Sequence, residues 1–361
     1  MDCQLPPSVT YWTGTWDPQR EAISQEIAAL RTLGHPAAPV VAFSPGNRTA
    51  WPTDGVWRLS GRRWITFRTL AALIEPGGDV THAFGPLNGW HLLRSLGRRP
   101  FVFTVVIPAE PLEQRSLYDR VTVFVAESES LAGSLRRMGV RDERIQVIYP
   151  GVDLQRFRHR PLPGGRFRML FASSPADPAE LDARGVPQLI ELARRHPDVD
   201  VVVLWRNWGK AAEGKRLLAT FDPPPNFIVE QRGARDMAEL FASAHATVCL
   251  FQEGFGKSCP NSVVEGLACG RPALVSDSCG IADLLIEHGA GVAAARTPDA
   301  LSAGLERLRR DFLRRTAEAR QLAERCFSRP RFLKQYRDLY AALAAGAELP
   351  ARVGEAHAAS R

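Results

Sequence analysis

Short apolar runs separated by stretches of helical periodicity recur along the whole 361-residue chain. SVTYW (8–12) is followed by a helical pattern near residues 19–33 that stops at Gly34. PVVAF (39–43), DVTHAF (79–84), FVFTVVI (101–107) and VTVFVA (121–126) then predict buried strands, being short and rich in β-branched and aromatic residues. A helical period over 128–138 closes at Gly139, and IQVIY (145–149) predicts another strand. Strands that alternate with helices build βαβ units around a parallel sheet.

Residues 150–166, PGVDLQRFRHRPLPGGR, break this alternation. Pro and Gly are dense there and no period survives, which predicts a linker. A second alternating series follows. Its strands are RMLFASS (168–174), DVVVLW (200–205), NFIVEQ (226–231), ATVCLF (246–251), PALVSD (272–277) and GVAAA (291–295). Helical patterns at 187–196, 211–219, 236–244, 262–270 and 282–289 lie between them, and a long helix starts near 298. RPRFLKQYRDLYAAL (329–343) predicts a last helix, and the small, polar residues 347–361 are expected to be disordered. The chain therefore reads as α/β, with two Rossmann-like doubly wound domains. Ligands of such sheets bind outside the carboxyl ends of the strands.

Composition narrows the field. Hydrophobic residues make up 45% and charged residues 24%, so both halves can bury a core. The net charge is +7, which favours anionic partners. Residues 1–156 hold 17 Arg against 15 Asp plus Glu, so the charge is spread along the chain and no basic arm points to nucleic acid. Only Lys210, Lys215, Lys257 and Lys334 are lysines. The amino-terminal MDCQLPPSVTYW lacks a basic region ahead of a long apolar core, and no apolar run is long enough to span a bilayer. Both features lead to the expectation of a cytoplasmic chain. Four of the six cysteines, Cys249, Cys259, Cys269 and Cys279, recur at intervals of ten. They fall on a strand, a loop, a helix end and a second loop, with no CxxC pair, so they read as buried thiols rather than a zinc site.

The densest chemistry lies at EGFGKSCPNSVVEGLACGRP (253–272). A strand precedes it, Pro260 suits the first turn of a helix, and Gly270 suits its left-handed end. The start of that helix carries free N–H groups and partial positive charge, a seat for phosphate. Gly254 and Gly256 allow a ligand close to the backbone. Glu265 lies about one turn in, on the ligand side or the opposite one. Taken by itself, it is as well explained as a carboxylate stabilising a helix start.

CPNSVVEGLACGRPALVSD resembles the signature of the family 4 glycosyltransferases, retaining enzymes of GT-B fold. IQVIYPGVD, DVTHAFGP (79–86) and FSRPRFLKQYRDLYAAL (327–343) resemble further segments of that family, in the same order. The resemblance implies two domains with a cleft between them. Residues 1–155 would bind the acceptor and 156–325 the nucleotide sugar, while 326–346 would cross back to the first domain. It implies that Glu265 binds the nucleotide ribose. Gly254, Phe255, Gly256, Ser258, Pro260, Asn261 and Ser262 would hold the diphosphate and sugar, and Gly14 would face the diphosphate from the first domain. Arg184 matches one of the family's two phosphate-neutralising cations. No metal or other cofactor is implied; the nucleoside-diphosphate sugar is the donor substrate.

The chain departs from the family at several places. The motif's first glutamate is replaced by Lys257, with Glu253 just upstream. Glu253 takes over the sugar contact, or the contact is lost. The second cation is missing at Ser173-Ser174, and Lys257 or Arg206 is the candidate substitute. The family's acceptor-domain histidine is absent at Val106 and Ile107; His82 and His91 are nearby, and a lone histidine is more often structural. The expected reaction moves a sugar to a glycan, a lipid-linked sugar or a small molecule. The alternative is a GT-B-shaped protein that binds a nucleotide or a partner without catalysis. A Rossmann oxidoreductase is disfavoured because no GxGxxG follows an early strand. Arg62-Arg63, Arg98-Arg99 and Arg136-Arg137 are the candidates for contact with an anionic membrane surface.

Overall fold

A computed structural model describes residues 6–34, 38–44, 50–60, 64–173, 177–205, 210–231 and 236–350. The chain divides into two compact units, residues 1–151 with 330–361, and residues 152–329. The change of unit thus falls four residues before the boundary expected from the sequence. Among the described residues, no helix is long and apolar enough to cross a membrane.

In the first unit the strands are β1 (Val9–Thr13), β2 (Val40–Ser44), β3 (Ala50–Thr53), β4 (Val56–Ser60), β5 (Val80–Pro86), β6 (Phe101–Ile107), β7 (Val123–Ala126) and β8 (Ile145–Val147). They form one sheet in the order β3-β4-β2-β1-β5-β6-β7-β8. All pairs are parallel except β3 with β4. That hairpin is absent from the periodicity reading. It turns at Asp54-Gly55, both at positive φ (53° and 73°), the two-residue turn that matches strand twist.

Helices α1 (Ala22–Leu30), α2 (Trp64–Ile74), α3 (Trp90–Ser95) and α4 (Glu129–Arg137) cover the sheet. Alternate residues serve opposite faces. Trp12, Phe103 and Phe124 join one core; Tyr11, Val102 and Val123 join the other. Ser128 starts α4 by accepting the Leu131 N–H at 3.1 Å.

The second unit holds β9 (Phe167–Phe171), β10 (Val199–Trp205), β11 (Phe227–Gln231), β12 (Ala246–Cys249), β13 (Ala273–Ser276) and β14 (Gly291–Ala294). Their order is β11-β10-β9-β12-β13-β14, all parallel. Between them run α5 (Glu180–Ala183), α6 (Val186–Arg195), α7 (Ala211–Ala219), α8 (Met237–Ala242), α9 (Asn261–Ala268), α10 (Ala282–Glu287), α11 (Pro298–Arg310) and α12 (Phe312–Cys326). The single long helix expected after 298 is two, because Asp311 leaves the helical region (φ −107°, ψ 27°). The break lets α12 fold onto α9, where Arg320 donates to the Ala268 and Phe157 carbonyls at 2.6 and 3.0 Å.

The expected linker is also corrected. Residues 152–166 belong to the second unit and are fastened to it. The fully buried Arg271 donates to the carbonyls of Arg160 and Pro161 at 3.1 and 3.0 Å, and to those of Phe241 and Ala242 at 3.2 Å. A Pro- and Gly-rich segment has no regular partners of its own, so a buried guanidinium supplies them.

Helix α13 (Arg329–Ala345) is the last element of the described chain and lies almost wholly in the first unit. Phe332, Tyr336, Leu339, Tyr340 and Leu343 form its buried stripe. His82 of β5 is fully buried beneath it. Its ring nitrogens meet Tyr340 Oη at 2.6 Å and Thr104 Oγ1 at 2.7 Å, and burial drives its pKa well below the ordinary value. His82 is therefore structural. The tail expected to be disordered over 347–361 lies outside the described residues from 351 onward.

Candidate active site

In the second sheet the strand order reverses between β9 and β12. Loops leaving two neighbouring strands at such a point diverge and leave a crevice at their carboxyl ends. Ser173 follows β9 there, and residues 250–260 follow β12.

The two loops are locked together. Gly185 stands at φ 80°, and a Cβ on it would lie 2.5 Å from the Leu250 carbonyl oxygen. Only glycine satisfies both conditions. The Gln252 N–H donates to the Ala183 carbonyl at 2.8 Å. The Phe251 carbonyl accepts from Ser276 and Ser278 hydroxyls at 2.7 and 3.0 Å.

Arg184 is the centre of this junction. Its Nε and one terminal nitrogen each lie 2.8 Å from Glu180 Oε2, and the other donates to Ser173 Oγ at 2.6 Å. Its guanidinium carbon lies 5.7 Å from the Phe251 ring centre and 5.3 Å from that of Phe255. Those rings meet edge to face at 88°. A guanidinium held by a carboxylate and two aromatic faces is pre-oriented, and it keeps further N–H donors on its terminal nitrogens.

The glycines differ in role. Gly256 (φ 74°) lies against the Phe251 ring, 2.6 Å from where a Cβ would stand, so it shapes the aromatic packing. Gly254 (φ 73°) is exposed at the loop tip, and so is Glu253. Among the described residues, Glu253 makes no side-chain hydrogen bond or ion pair, and nothing brings it to Lys257 or Arg184.

Lys257 reaches inward instead. Its Nζ donates to Asn261 Oδ1 at 2.8 Å, which sets the ammonium beside the start of α9. Ser258 and Cys259 are buried beneath the loop. Pro260 is one residue outside the helix rather than in its first turn. Its backbone is extended, and its carbonyl accepts from the Val263 and Val264 N–H groups at 2.9 and 3.2 Å. Among the described residues no side chain caps this helix start, so the Asn261 and Ser262 N–H groups remain available to an anion.

Asn261, Ser262 and Glu265 are half-buried, while Val263, Val264, Gly266 and Leu267 face the core. Glu265 is four residues beyond Asn261, so both share one helix face. Gly266 sits so close to Thr247 that no side chain fits, which presses α9 onto β12. Glu265 also reaches Arg156 electrostatically. Arg156 is held above its ordinary pKa chiefly by its bond to Asp236, with smaller contributions from Glu265 and Asp153. Gly270 ends the region in the left-handed conformation, φ 74°.

The remaining expectations are scattered. Gly14 follows β1, beside the point where the first sheet's order reverses, and a Cβ there would meet only the Phe43 carbonyl at 4.0 Å. Arg206, Ser174, Arg62 and Arg63 lie outside the described residues. Arg98 is taken up by the buried Glu75 at 3.1 Å and Arg99 by the Pro76 carbonyl; Arg136 pairs with Asp142. Those arginines therefore have local structural partners. Burial raises the thiol pKa of Cys249 strongly, that of Cys269 to about 12 and that of Cys279 to about 11, so these thiols stay protonated and inert.

Two family profiles match in succession: Glycosyltransferase Family 4 over residues 25–156, and Glycosyl transferases group 1 over residues 185–311. The chain belongs to family 4 of the GT-B glycosyltransferases. WcaL of Escherichia coli, whose name assigns it to colanic acid biosynthesis, is 24% identical to this family 4 chain over 195 residues. That match spans 48% of the chain and 44% of WcaL, so less than half of the relative's length is represented. Two solved structures share the fold. One is Anabaena HepE in complex with UDP and glucose, with a TM-score of 0.71 at 15% identity, covering 93% of this chain and 100% of that one. The other is a sucrose-phosphate synthase from Thermosynechococcus elongatus, with a TM-score of 0.72 at 16% identity, covering 94% and 100%.

Sequence reasoning missed the residues that aim the candidate site. Glu180 and Phe251 carry no motif, and Ser276 lies in the signature segment without being singled out. The signal for Glu180 was its place four residues before Arg184 on a helical stretch. Phe251 had no signal and Ser276 only its place in the signature, because their roles exist only once β12 and β13 are neighbours.

Proposed function

We propose that this chain transfers a sugar from a nucleoside-diphosphate sugar to a glycan, lipid-linked or small-molecule acceptor, with retention at the anomeric carbon and without a metal. The observation that carries this reading is the convergence of Arg184, Lys257 and the uncapped start of α9 at one switch point. In sugar transfer, negative charge builds on the departing diphosphate as the sugar becomes cation-like. Two fixed cations and a row of N–H groups answer that charge. Glu265, on the same helix face as Asn261, would accept from the ribose hydroxyls. HepE, of like fold, is known in complex with UDP and glucose, which agrees with a donor of this class.

The first unit offers an acceptor surface. A hollow of about 390 Å³ is lined by Trp90, Arg94, Leu112, Glu113, Gln114 and Leu117, beyond the carboxyl ends of β5 and β6. Trp90 is 44% exposed, with the Arg94 guanidinium 5.9 Å from its ring centre, and a partly exposed aromatic ring beside polar groups suits a sugar ring. A nucleotide-sugar donor agrees with a cytoplasmic reaction, and a lipid-linked acceptor would bring the chain to the inner membrane face.

One observation favours a second reading. Lys257 stands where the family signature carries a carboxylate, and Glu253 engages nothing among the described residues. A chain that binds nucleotide without transfer would have this arrangement. A thermal-shift screen against UDP, GDP, ADP and their sugars tests both. A ligand at 100 times its Kd adds about 2.7 kcal/mol. A shift that Glu265→Ala removes, with labelled sugar appearing on an acceptor or in water, supports transfer. A shift with no turnover favours the second reading, and no shift with any nucleotide refutes both.

A further inference from the structure

The second unit has another hollow, away from the switch point. It has a volume of about 590 Å³ and lies against the amino-terminal part of β14, between the α10–β14 turn, α11 and α12. Arg307, Arg314, Arg315 and Arg325 line it, against Glu287 and Glu318. Four guanidinium groups against two carboxylates leave the lining positive.

Part of this charge has a structural use. β14 is the edge of its sheet. Arg315 donates to the carbonyls of Gly289 and Gly291 at 3.3 and 2.9 Å, and Arg307 to that of Ala293 at 3.4 Å. These bonds cover an open strand edge, and each uses one nitrogen of its arginine. The rest of the charge is answered only in part, and Arg325 has His288 Nδ1 at 3.3 Å as its neighbour. Asp311 serves both Arg314 and Arg315, at 3.6 and 3.7 Å. Among the described residues, Arg307 and Arg325 have no carboxylate within ion-pair distance, and neither Glu287 nor Glu318 pairs with any of the four. Arg315 Nε is buried without a hydrogen-bond partner. Burial and then the neighbouring Arg314 lower the Arg315 pKa, which shows like charges crowded together. Arg314 also reaches to 3.1 Å of where a side chain on Gly289 would begin, so the turn leaves room for it over the hollow.

We propose that this hollow is a second, non-catalytic site that binds a phosphate-bearing ligand, with Arg314 and Arg325 bridging its oxygens and Arg307 adding charge. Several planar forks converging on one space match the oxygens of a phosphate better than point charges do. The phosphate belongs either to a soluble phosphorylated molecule or to a lipid headgroup.

The test uses the whole chain with its nucleotide site saturated by UDP. Calorimetry with inorganic pyrophosphate compares the wild type with Arg314→Gln/Arg325→Gln; both positions are exposed, and an unchanged Tm verifies folding. Binding in the wild type that weakens at least about tenfold in the double variant is expected. A parallel arm sediments the chain with vesicles of phosphatidylcholine alone or mixed with phosphatidylglycerol. Pyrophosphate binding that depends on the two arginines assigns a soluble ligand. Arginine-dependent binding to the mixed vesicles alone assigns a headgroup. Neither probe binding the wild type, or the wild type and the double variant binding equally, overturns the proposal. None of these readouts needs sugar transfer, so this outcome is separate from that of the proposed activity.

Discussion

Replacing Gly185 by alanine probes the junction that aims the candidate site. Gly185 has φ 80°, a left-handed conformation that costs an L-residue about 1–2 kcal/mol. The new Cβ would lie 2.5 Å from the Leu250 oxygen and 2.6 Å from the Leu250 Cβ. Both contacts are to atoms that rotamer changes cannot move, so the loops must separate, at about 1–3 kcal/mol. The sum is about 2–5 kcal/mol, or roughly 5–15 °C in Tm for a unit of this size. Separation also pulls Arg184 away from Phe251 and Phe255, so turnover should fall more steeply than stability alone requires. Scanning calorimetry together with initial rates of sugar transfer reads both effects. Gly14→Ala is the control, because only the Phe43 carbonyl is near, at 4.0 Å, and its Tm should stay at the wild-type value. A Gly185→Ala chain with wild-type Tm and wild-type turnover would refute the packing of these loops.

Other outcomes follow from the same structure. Lys257→Ala should lower kcat by about 10–100-fold, with acceptor KM little changed, if its ammonium answers charge on the leaving phosphate; steady-state kinetics at wild-type turnover would leave Lys257 only its bond to Asn261. Arg271→Met strips four carbonyls of their buried donor and should cost about 3–5 kcal/mol in denaturant unfolding, whereas an unchanged midpoint would mean that residues 152–166 hold themselves. His82 stays neutral when folded but binds a proton below pH 6.5 when unfolded, so stability should decline as pH drops from 7 to 5, by up to about 1.4 kcal/mol per pH unit. His91, with its pKa lowered to about 4 by burial, adds to the same trend. Unfolding midpoints of His82→Gln should show a shallower pH slope, and an equal slope would remove His82 from the linkage.

Much of this protein is local information. Short apolar runs and 3.6-residue periods in the sequence placed nearly every strand and most helices, because burial on both faces of a parallel sheet and on one face of a helix imposes those patterns. The segment CPNSVVEGLACGRP announced a helix start, a glycine end and Glu265 without any knowledge of neighbours. The Asp54-Gly55 hairpin was equally local, yet Pro52 and Arg58 interrupt its strands, so neither shows an apolar run.

What the sequence left undecided depends on which strands become neighbours. Ser173 and Phe251 are 78 positions apart, and only the β9–β12 pairing brings their loops to one crevice. Whether Lys257 faces solvent or the helix start was open in the sequence, and its bond to Asn261 decided it. The same holds for Arg271, whose structural role appears only once its four carbonyl partners surround it. Periodicity and caps act over one or two turns of chain. The aim of a guanidinium depends on long-range contacts, and those exist only after the sheet has assembled.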